Sequence, residues 1–96
     1  MADRKDVLTS ALDAVDVRGR SYGTPESNFA RIAAFWKQYL ANRGAGPDAP
    51  IDEADVSAMM VLMKVARLQQ SPEHLDSWVD IAGYAACGGE ITTRSR

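Results

Sequence analysis

The segment over residues 53–70 constrains the fold of this chain of 96 residues more than any other part. Valine, leucine, alanine and methionine occupy most of its positions, and cations interrupt the apolar run only at Lys64 and Arg67. A helix with almost no polar side must be buried on most of its faces. The segment therefore predicts a helix that the rest of the chain has to cover.

Cap signals mark where the helices begin. The sequences Thr-Pro-Glu at 24–26 and Ser-Pro-Glu at 71–73 each combine an N-cap, a proline at the first helical position and an acid in the first turn. Asp52, with an acid three residues later, marks the start of the helix over 53–70. The apolar stripes expected on the other helices are Leu8, Ala11, Leu12 and Val15 over 6–17; Phe29, Ile32, Ala33, Trp36 and Leu40 from 24 or 25 to about 42; and Leu75, Trp78, Val79, Ala82 and Ala86 in a last helix that Gly88-Gly89 ends.

These patterns predict a single all-α domain over residues 1–96, built like a four-helix bundle with a flexible tail at about 90–96. No strand-like alternation of apolar and polar residues occurs. The apolar surface is large for a chain of this length, whose core is marginal when it stands alone. We therefore expect a homo-oligomer.

The composition excludes several classes of function. A net charge of −2 gives no general basic field, so a long nucleic acid is not an expected partner. The N-terminus lacks the apolar run of a signal peptide, and no stretch of about 20 apolar residues occurs, which predicts a soluble cytoplasmic protein that does not enter a membrane. His74 and Cys87 are single, which leaves no zinc cluster and no Ser-His-Asp or Cys-His machinery. Without a phosphate-binding GKS/T loop, metal-assisted hydrolysis is the enzymatic class with most support.

Asp76 and Asp80 lie four residues apart, so a helix places both carboxylates on one face. Their repulsion costs an isolated helix about 0.2–0.5 kcal/mol, which indicates that something cationic lies against them. One alternative is an Mg²⁺ or Mn²⁺ ion, since these hard cations take carboxylate oxygens. The other is an internal bridge to Lys64 or Arg67 of the preceding helix. His74 is either a further ligand or a surface residue beside a helix cap.

Lys64 and Arg67 are three residues apart and point the same way on an otherwise apolar helix. Two cations on such a face predict a buried anion, either the aspartates of the next helix or a ligand phosphate. A second phosphate position is the glycine-containing stretch before Pro25, where the free amides of a helix start are available. Tyr22 there either stacks on a base or belongs to the core, and Glu26 and Asn28 are further candidate oxygen ligands.

Three stretches carry a family resemblance over about residues 18 to 87. They are RSYGTPESNFARIAAFW, DVSAMMVLMKVAR and HLDSWVDIAGYAA. Together they resemble a family of small phage and prophage proteins that is itself similar to the all-α nucleotide pyrophosphohydrolases of the MazG, MazZ and phosphoribosyl-ATP pyrophosphatase kind. The resemblance implies a helical oligomer that uses Mg²⁺, held by acids, to split nucleoside triphosphates into monophosphate and pyrophosphate. Its place of action would be the host cytoplasm if a phage encodes it.

Carried over to this chain, the resemblance gives Asp80 the place of the last acid in the superfamily's ExxD motif. Asp76 lies one residue out of register for the first acid of that motif, and the EExxE motif of the preceding helix is replaced by the residues from Lys64 to Arg67. The implied metal set is Asp76, Asp80 and Glu26, and the implied nucleotide-binding set is Lys64, Arg67, Tyr22, Asn28 and His74. Because cations do not bind a metal ion, three functions stay open. One is a metal-dependent (d)NTP pyrophosphohydrolase, and another is a protein that sequesters a nucleotide without cleaving it. The third is a structural helical module whose charged pairs are only internal bridges.

Overall fold

A computed structural model describes residues 1–94, apart from the side chains of Ser21 and Tyr22, as four α-helices without a strand. The helices are α1 (Arg4–Tyr22), α2 (Pro25–Asn42), α3 (Glu53–Gln70) and α4 (Leu75–Thr93). The predicted all-α class and the number of helices are confirmed for this part of the chain. A bundle-like packing is compatible with this architecture.

Side-chain caps explain where three of the helices begin. Asp3 and Asp52 each accept the backbone N–H of an aspartate three residues later, whose own side chain accepts the N–H of the cap residue in return. Thr24 accepts the N–H of Ser27 ahead of the proline that opens α2. These bonds satisfy amides that a helix start leaves without an intrahelical partner. The predicted starts of α2 and α3 are confirmed.

Two helix ends differ from the predictions. The predicted span 6–17 is too short, because α1 runs through Gly19 and ends before Gly23, whose φ of 79° is a conformation that glycine adopts readily. The predicted stop at Gly88-Gly89 is wrong, because α4 continues to Thr93. The hydroxyls of Thr92 and Thr93 donate to the carbonyls of those two glycines, which keep helical backbone angles. Residues 95 and 96 of the predicted tail lie outside the described residues.

The start of the last helix also differs from the Ser-Pro-Glu signal at 71–73. Those residues form a turn, and α4 begins at Leu75 with His74 as its N-cap. His74 makes no side-chain bond to the helix amides, so the cap signal in the sequence lies one turn ahead of the helix. The face that α4 presents to α3 consequently begins with His74 and the fully buried Ser77.

Helix α3 lies between α2 and α4, as its apolar sequence predicts. The indole N–H of Trp36 in α2 donates to the Met59 carbonyl at 2.7 Å, and the Tyr39 hydroxyl donates to Asp55 at 2.8 Å. The hydrogen bond raises the pKa of Tyr39. The pKa of Asp55 is lowered, first by the backbone N–H of Asp52 and then by the tyrosine hydroxyl. These bonds fix α2 on α3 at the end far from the aspartates of α4.

The prediction that the apolar stripes of α1 and α4 form the core is wrong for a single chain, because these residues are exposed. Leu75, Trp78 and Val79 are 70%, 54% and 58% exposed, and Leu8, Leu12 and Val15 of α1 are also exposed, as is Phe29 of α2. Helix α4 instead packs on α3 through small residues. A Cβ at Gly88 would lie 3.1 Å from Cβ of Ser57, so the two backbones are closer there than larger side chains permit. Close packing through small residues turns the large apolar residues of α4 outward.

The molecule is open as a result. Its accessible surface is 7020 Å², whereas a compact monomer of this mass exposes about 5,400 Å². Its radius of gyration of 15.8 Å exceeds the roughly 12.5 Å of a compact domain of this length. Helix α1 accounts for part of the difference, because it touches α2 and α3 over a short stretch and leaves a cleft between itself and α4.

Candidate functional site

A salt bridge joins the middle of α3 to α4. Lys64 Nζ lies 2.8 Å from Asp80 Oδ2, and the two side chains are 11% and 43% exposed. Lys64 is held in the α3–α4 interface because α4 packs closely on α3 over the turns that include Ser77 and Asp80. The internal bridge that the sequence left open as one alternative for Asp80 is therefore formed.

The bridge forms one wall of a cleft of about 420 Å³, which we call the charged cleft. Helix α1 closes the other side. The cleft is lined by Asp13 and Arg18 from α1, Lys64 and Arg67 from α3, and His74, Asp76 and Asp80 from α4. Three cations and three carboxylates thus face the same space, and their formal charges balance at neutral pH. Such a lining provides separate positions for anions and for cations rather than a field of one sign.

His74 is oriented by the start of α4. Its Nδ1 lies 2.8 Å from the hydroxyl oxygen of Ser77, which is fully buried. This hydrogen bond fixes the ring at the edge of the charged cleft. Which atom donates depends on the tautomer of the imidazole. Either the Ser77 hydroxyl donates to Nδ1, or the Nδ1–H group donates to the hydroxyl oxygen.

A second, smaller cavity of about 300 Å³ adjoins the charged cleft, and we call it the Asn28 pocket. Arg18 and Arg67 line both spaces. Most of the remaining wall is apolar or glycine, from Val15 and Gly19 of α1, Gly23, and Pro25 and Phe29 of α2. Asn28 is only 6% exposed, and its buried Oδ1 has no hydrogen-bond donor among the described residues. A buried acceptor without a donor costs about 1–3 kcal/mol, so its retention needs a reason.

The structure brings most of the predicted site residues together. Lys64, Arg67, His74, Asp76 and Asp80 share the charged cleft, and Asn28 lies in the adjoining pocket. Glu26 is exposed in the first turn of α2 and lines neither space. The side chain of Tyr22 lies outside the part of the chain that is described. Two cleft residues that sequence reasoning missed are Asp13 and Arg18 of α1.

The carboxylates of the cleft do not by themselves complete a resident metal site. Within residues 1–94, no group of three or more His, Cys, Asp or Glu side chains is placed to hold a metal ion. Asp76 and Asp80 are two carboxylates, and one oxygen of Asp80 already accepts from the Lys64 ammonium. A hard divalent cation takes six or more oxygen ligands, so substrate oxygens or water would have to provide most of them. Binding of Mg²⁺ or Mn²⁺ stays a prediction.

Comparison with known proteins places the chain among phage proteins. Residues 6–92 match the model of a family described as Domain of unknown function (DUF6378). The chain is similar to the Gene 55 protein of Mycobacterium phage D29, with 40% identity over 70 residues, which are 73% of the chain and 42% of the relative. It is also similar to the Gene 55 protein of Mycobacterium phage L5, with 38% identity over 80 residues, which are 82% of the chain and 47% of the relative. The matched region thus spans less than half the length of these relatives. No solved structure matches the chain significantly.

Apolar residues are interrupted by polar and charged ones along the four helices. Over the described residues, none of them combines sufficient length with sufficient apolar character to pass through a bilayer. The exposed apolar residues of α1 and α4 lie on helices that carry charges elsewhere on their surface.

Proposed function

The chain belongs to the family described as Domain of unknown function (DUF6378), and we propose that it binds a nucleotide and holds its phosphates in the charged cleft. The observation that carries this proposal is the convergence of three cations, Arg18, Lys64 and Arg67, from two helices onto one cleft. Charge-assisted bonds from guanidinium and ammonium groups are the strong contacts to phosphate, and arginine can make two at once. The Gene 55 proteins are about twice as long, so this proposal concerns the matched region.

The Lys64–Asp80 bridge supports binding without cleavage as the first choice. Lys64 is almost fully buried, so its ammonium has lost most of its water before a ligand arrives. A phosphate oxygen that replaces Asp80 there exchanges one charge-assisted bond for another, and Asp80 is sufficiently exposed to return to water. The ligand therefore does not have to dehydrate the cation. A site of this kind favours retention of an anion and supplies no nucleophile.

Calorimetric titration in EDTA with each ribo- and deoxynucleoside triphosphate tests the proposal. We expect at least one to bind and to be recovered intact. Arg18→Gln and Arg67→Gln should each weaken it by roughly 10-fold to 100-fold, the effect of losing a charge-assisted hydrogen bond. Arg94→Gln is the matched control, because Arg94 is exposed at the end of α4 and pairs only with Glu90 among the described residues. Absence of binding by every nucleotide, or equal losses in the Arg94 control, would contradict the proposal.

A second candidate is a metal-dependent nucleoside triphosphate pyrophosphohydrolase. It is favoured by the position of Asp76 and Asp80, which face the same cleft as the three cations, and by the family resemblance of the sequence. The metal ion would then arrive with the triphosphate rather than reside in the protein. Release of pyrophosphate in the presence of Mg²⁺ or Mn²⁺, lost in both Asp76→Asn and Asp80→Asn, would establish this activity. Either function would be exercised on nucleotides of the host cytoplasm.

We also propose that the partner of this chain is a second copy of itself. The exposed apolar residues of α1 and α4, together with the excess of roughly 1,600 Å² over the surface of a compact monomer, support this proposal. That excess is about twice the 800 Å² that each partner buries in a standard interface. Sedimentation of the wild type and of Trp78→Lys tests it, with Lys37→Glu as a control on the polar surface of α2. A wild type that stays monomeric at all accessible concentrations would exclude it.

A further inference from the structure

The Asn28 pocket contains a buried polar group that the fold itself does not use. Asn28 lies in the second turn of α2, and its Oδ1 points into a protein interior where none of the described residues donates to it. Replacing such a group with an apolar side chain of similar size is nearly neutral or stabilising in general. A ligand with an N–H group in this position would satisfy the acceptor. The pocket therefore requires a hydrogen-bond donor, not an anion, at Asn28.

The remaining walls define the shape of that ligand. Phe29, Pro25 and Val15 provide apolar surfaces, and an added Cβ at Gly19 would have no neighbouring atom within 4 Å. The volume of about 300 Å³ lies at the lower limit of small-molecule sites. It suits one flat heterocycle and leaves no room for a whole nucleotide. A pocket with apolar walls, two arginines and a buried amide acceptor without a donor is complementary to a nucleobase.

The two arginines connect this pocket to the charged cleft. Arg18 and Arg67 each line both spaces, so a ligand that fills the pocket continues past the guanidinium groups into the cleft. We propose that the Asn28 pocket takes the nucleobase and that the Asn28 side chain turns on binding, so that its buried Oδ1 accepts one N–H group of the base, while the phosphates lie beyond Arg18 and Arg67. This inference rests on the proposed nucleotide binding and adds to it the group that distinguishes a nucleotide from a bare polyphosphate.

The test compares a nucleotide with a ligand that has no base. The wild type and Asn28→Leu are titrated in EDTA with the eight common ribo- and deoxynucleoside triphosphates and with inorganic triphosphate. Asn28→Leu should weaken the tightest nucleotide by roughly tenfold, the effect of one lost hydrogen bond and an unsatisfied donor on the ligand, and leave inorganic triphosphate unchanged. Its melting temperature should be equal to or above that of the wild type. Asn42→Leu, at the exposed end of the same helix, is the matched control.

A second variant tests the cavity without changing the amide. Gly19 lines the pocket, is helical and has no atom within 4 Å of an added Cβ, so Gly19→Leu fits the backbone and adds bulk at the wall of the pocket. It should lose nucleotide binding and keep inorganic triphosphate. If both variants bind nucleotides as the wild type does while Arg67→Gln is weakened, the base lies elsewhere and only the pocket assignment fails. If the wild type binds no nucleotide, the proposed function fails together with this inference.

Discussion

Replacement of Asp80 by asparagine is the most informative single change in this protein. Asp80→Asn keeps the size of the side chain and removes the charge that faces Lys64 Nζ at 2.8 Å. Lys64 is 11% exposed, so its ammonium has little access to water after the change. Removal of one partner from a buried pair leaves an uncompensated charge, and this is the main origin of the expected loss of stability.

The exposure of the two side chains determines the magnitude. Loss of one partner costs 3–5 kcal/mol when both are buried, and exposed pairs contribute about 0–1 kcal/mol. Because Asp80 is 43% exposed, water screens the bridge, and the loss should be about 1–2 kcal/mol. For a chain of this length that corresponds to a fall in melting temperature of roughly 4–16 °C.

Thermal melts without metal ions measure this loss, and Asp76→Asn is the matched control. Asp76 is exposed in the first turn of the same helix, so its replacement leaves no buried charge. It removes the repulsion at i, i+4 and also a favourable interaction with the helix dipole of similar size, and the melting temperature should be nearly unchanged. Lys64→Met and the double variant complete a cycle that isolates the pairwise term. An Asp80→Asn protein that melts at or above the wild-type temperature would refute the stabilising bridge and favour a role for Asp80 in binding a ligand or metal ion.

Three further predictions concern the packing of the helices. Gly89→Ala should raise the stability by about 0.5–1 kcal/mol through helix propensity, whereas Gly88→Ala should lose that gain because its Cβ meets Ser57 at 3.1 Å; chemical denaturation compares the two. The pKa of Asp55 is lowered by the backbone N–H of Asp52, the Tyr39 hydroxyl and the Arg43 guanidinium, so the carboxylate stabilises the fold above its unfolded value of 3.8 and this contribution disappears as the pH falls through the folded pKa. Asp55→Asn should therefore flatten the acid side of the stability profile. Trp36→Phe should cost about 0.5–1.5 kcal/mol because it removes the 2.7 Å hydrogen bond to the Met59 carbonyl, which lies inside α3 and keeps its intrahelical donor.

The starts of α2 and α3 were predictable because they depend on local chemistry. An aspartate or threonine that accepts an amide two or three residues later acts within one turn, so its effect is visible in the sequence, as at Thr24 and Asp52. The ends of α1 and α4 were not, because glycine permits a left-handed stop without requiring one. Gly23 adopts positive φ and ends α1, while Gly88 stays helical where α4 packs on Ser57. Tertiary packing selects between these outcomes, and the local sequence pattern does not indicate which one it selects.

The core of α4 was mispredicted for a related reason. Helical periodicity identifies which residues are apolar together, and it does not identify the surface that covers them. Trp78 and Val79 form a genuine apolar stripe, yet the fold of one chain places Ser77 against α3 instead. The face that packs within the chain is recognisable only from the small residues Ser77 and Gly88, whose spacing of eleven follows the same helical period.

The candidate site was predictable where helical spacing was sufficient. Lys64 with Arg67 and Asp76 with Asp80 each share a face by periodicity, and the neighbouring packing of α3 and α4 brings the two faces together. Arg18 could not be placed in the same way, because its contribution depends on α1 continuing beyond the predicted end at residue 17 and lying across the cleft. A surface arginine before a glycine has no local feature that marks it as part of a site.

Replacement of Asp76 should change the nucleotide affinity in opposite directions under the two candidate functions. In a protein that only binds nucleotide phosphates, Asp76 repels the incoming polyanion without holding anything in place, so Asp76→Asn should tighten nucleotide binding in EDTA by a few-fold. In a metal-dependent hydrolase the same carboxylate helps to hold the ion that accompanies the triphosphate, so Asp76→Asn should weaken binding in Mg²⁺ and remove turnover. Because Asp76 is exposed and its replacement should leave the melting temperature nearly unchanged, the sign of the change in affinity reports on function rather than on folding. Titrations of the wild type and Asp76→Asn, in EDTA and in Mg²⁺, measure that sign, and an unchanged affinity under both conditions would remove Asp76 from the site.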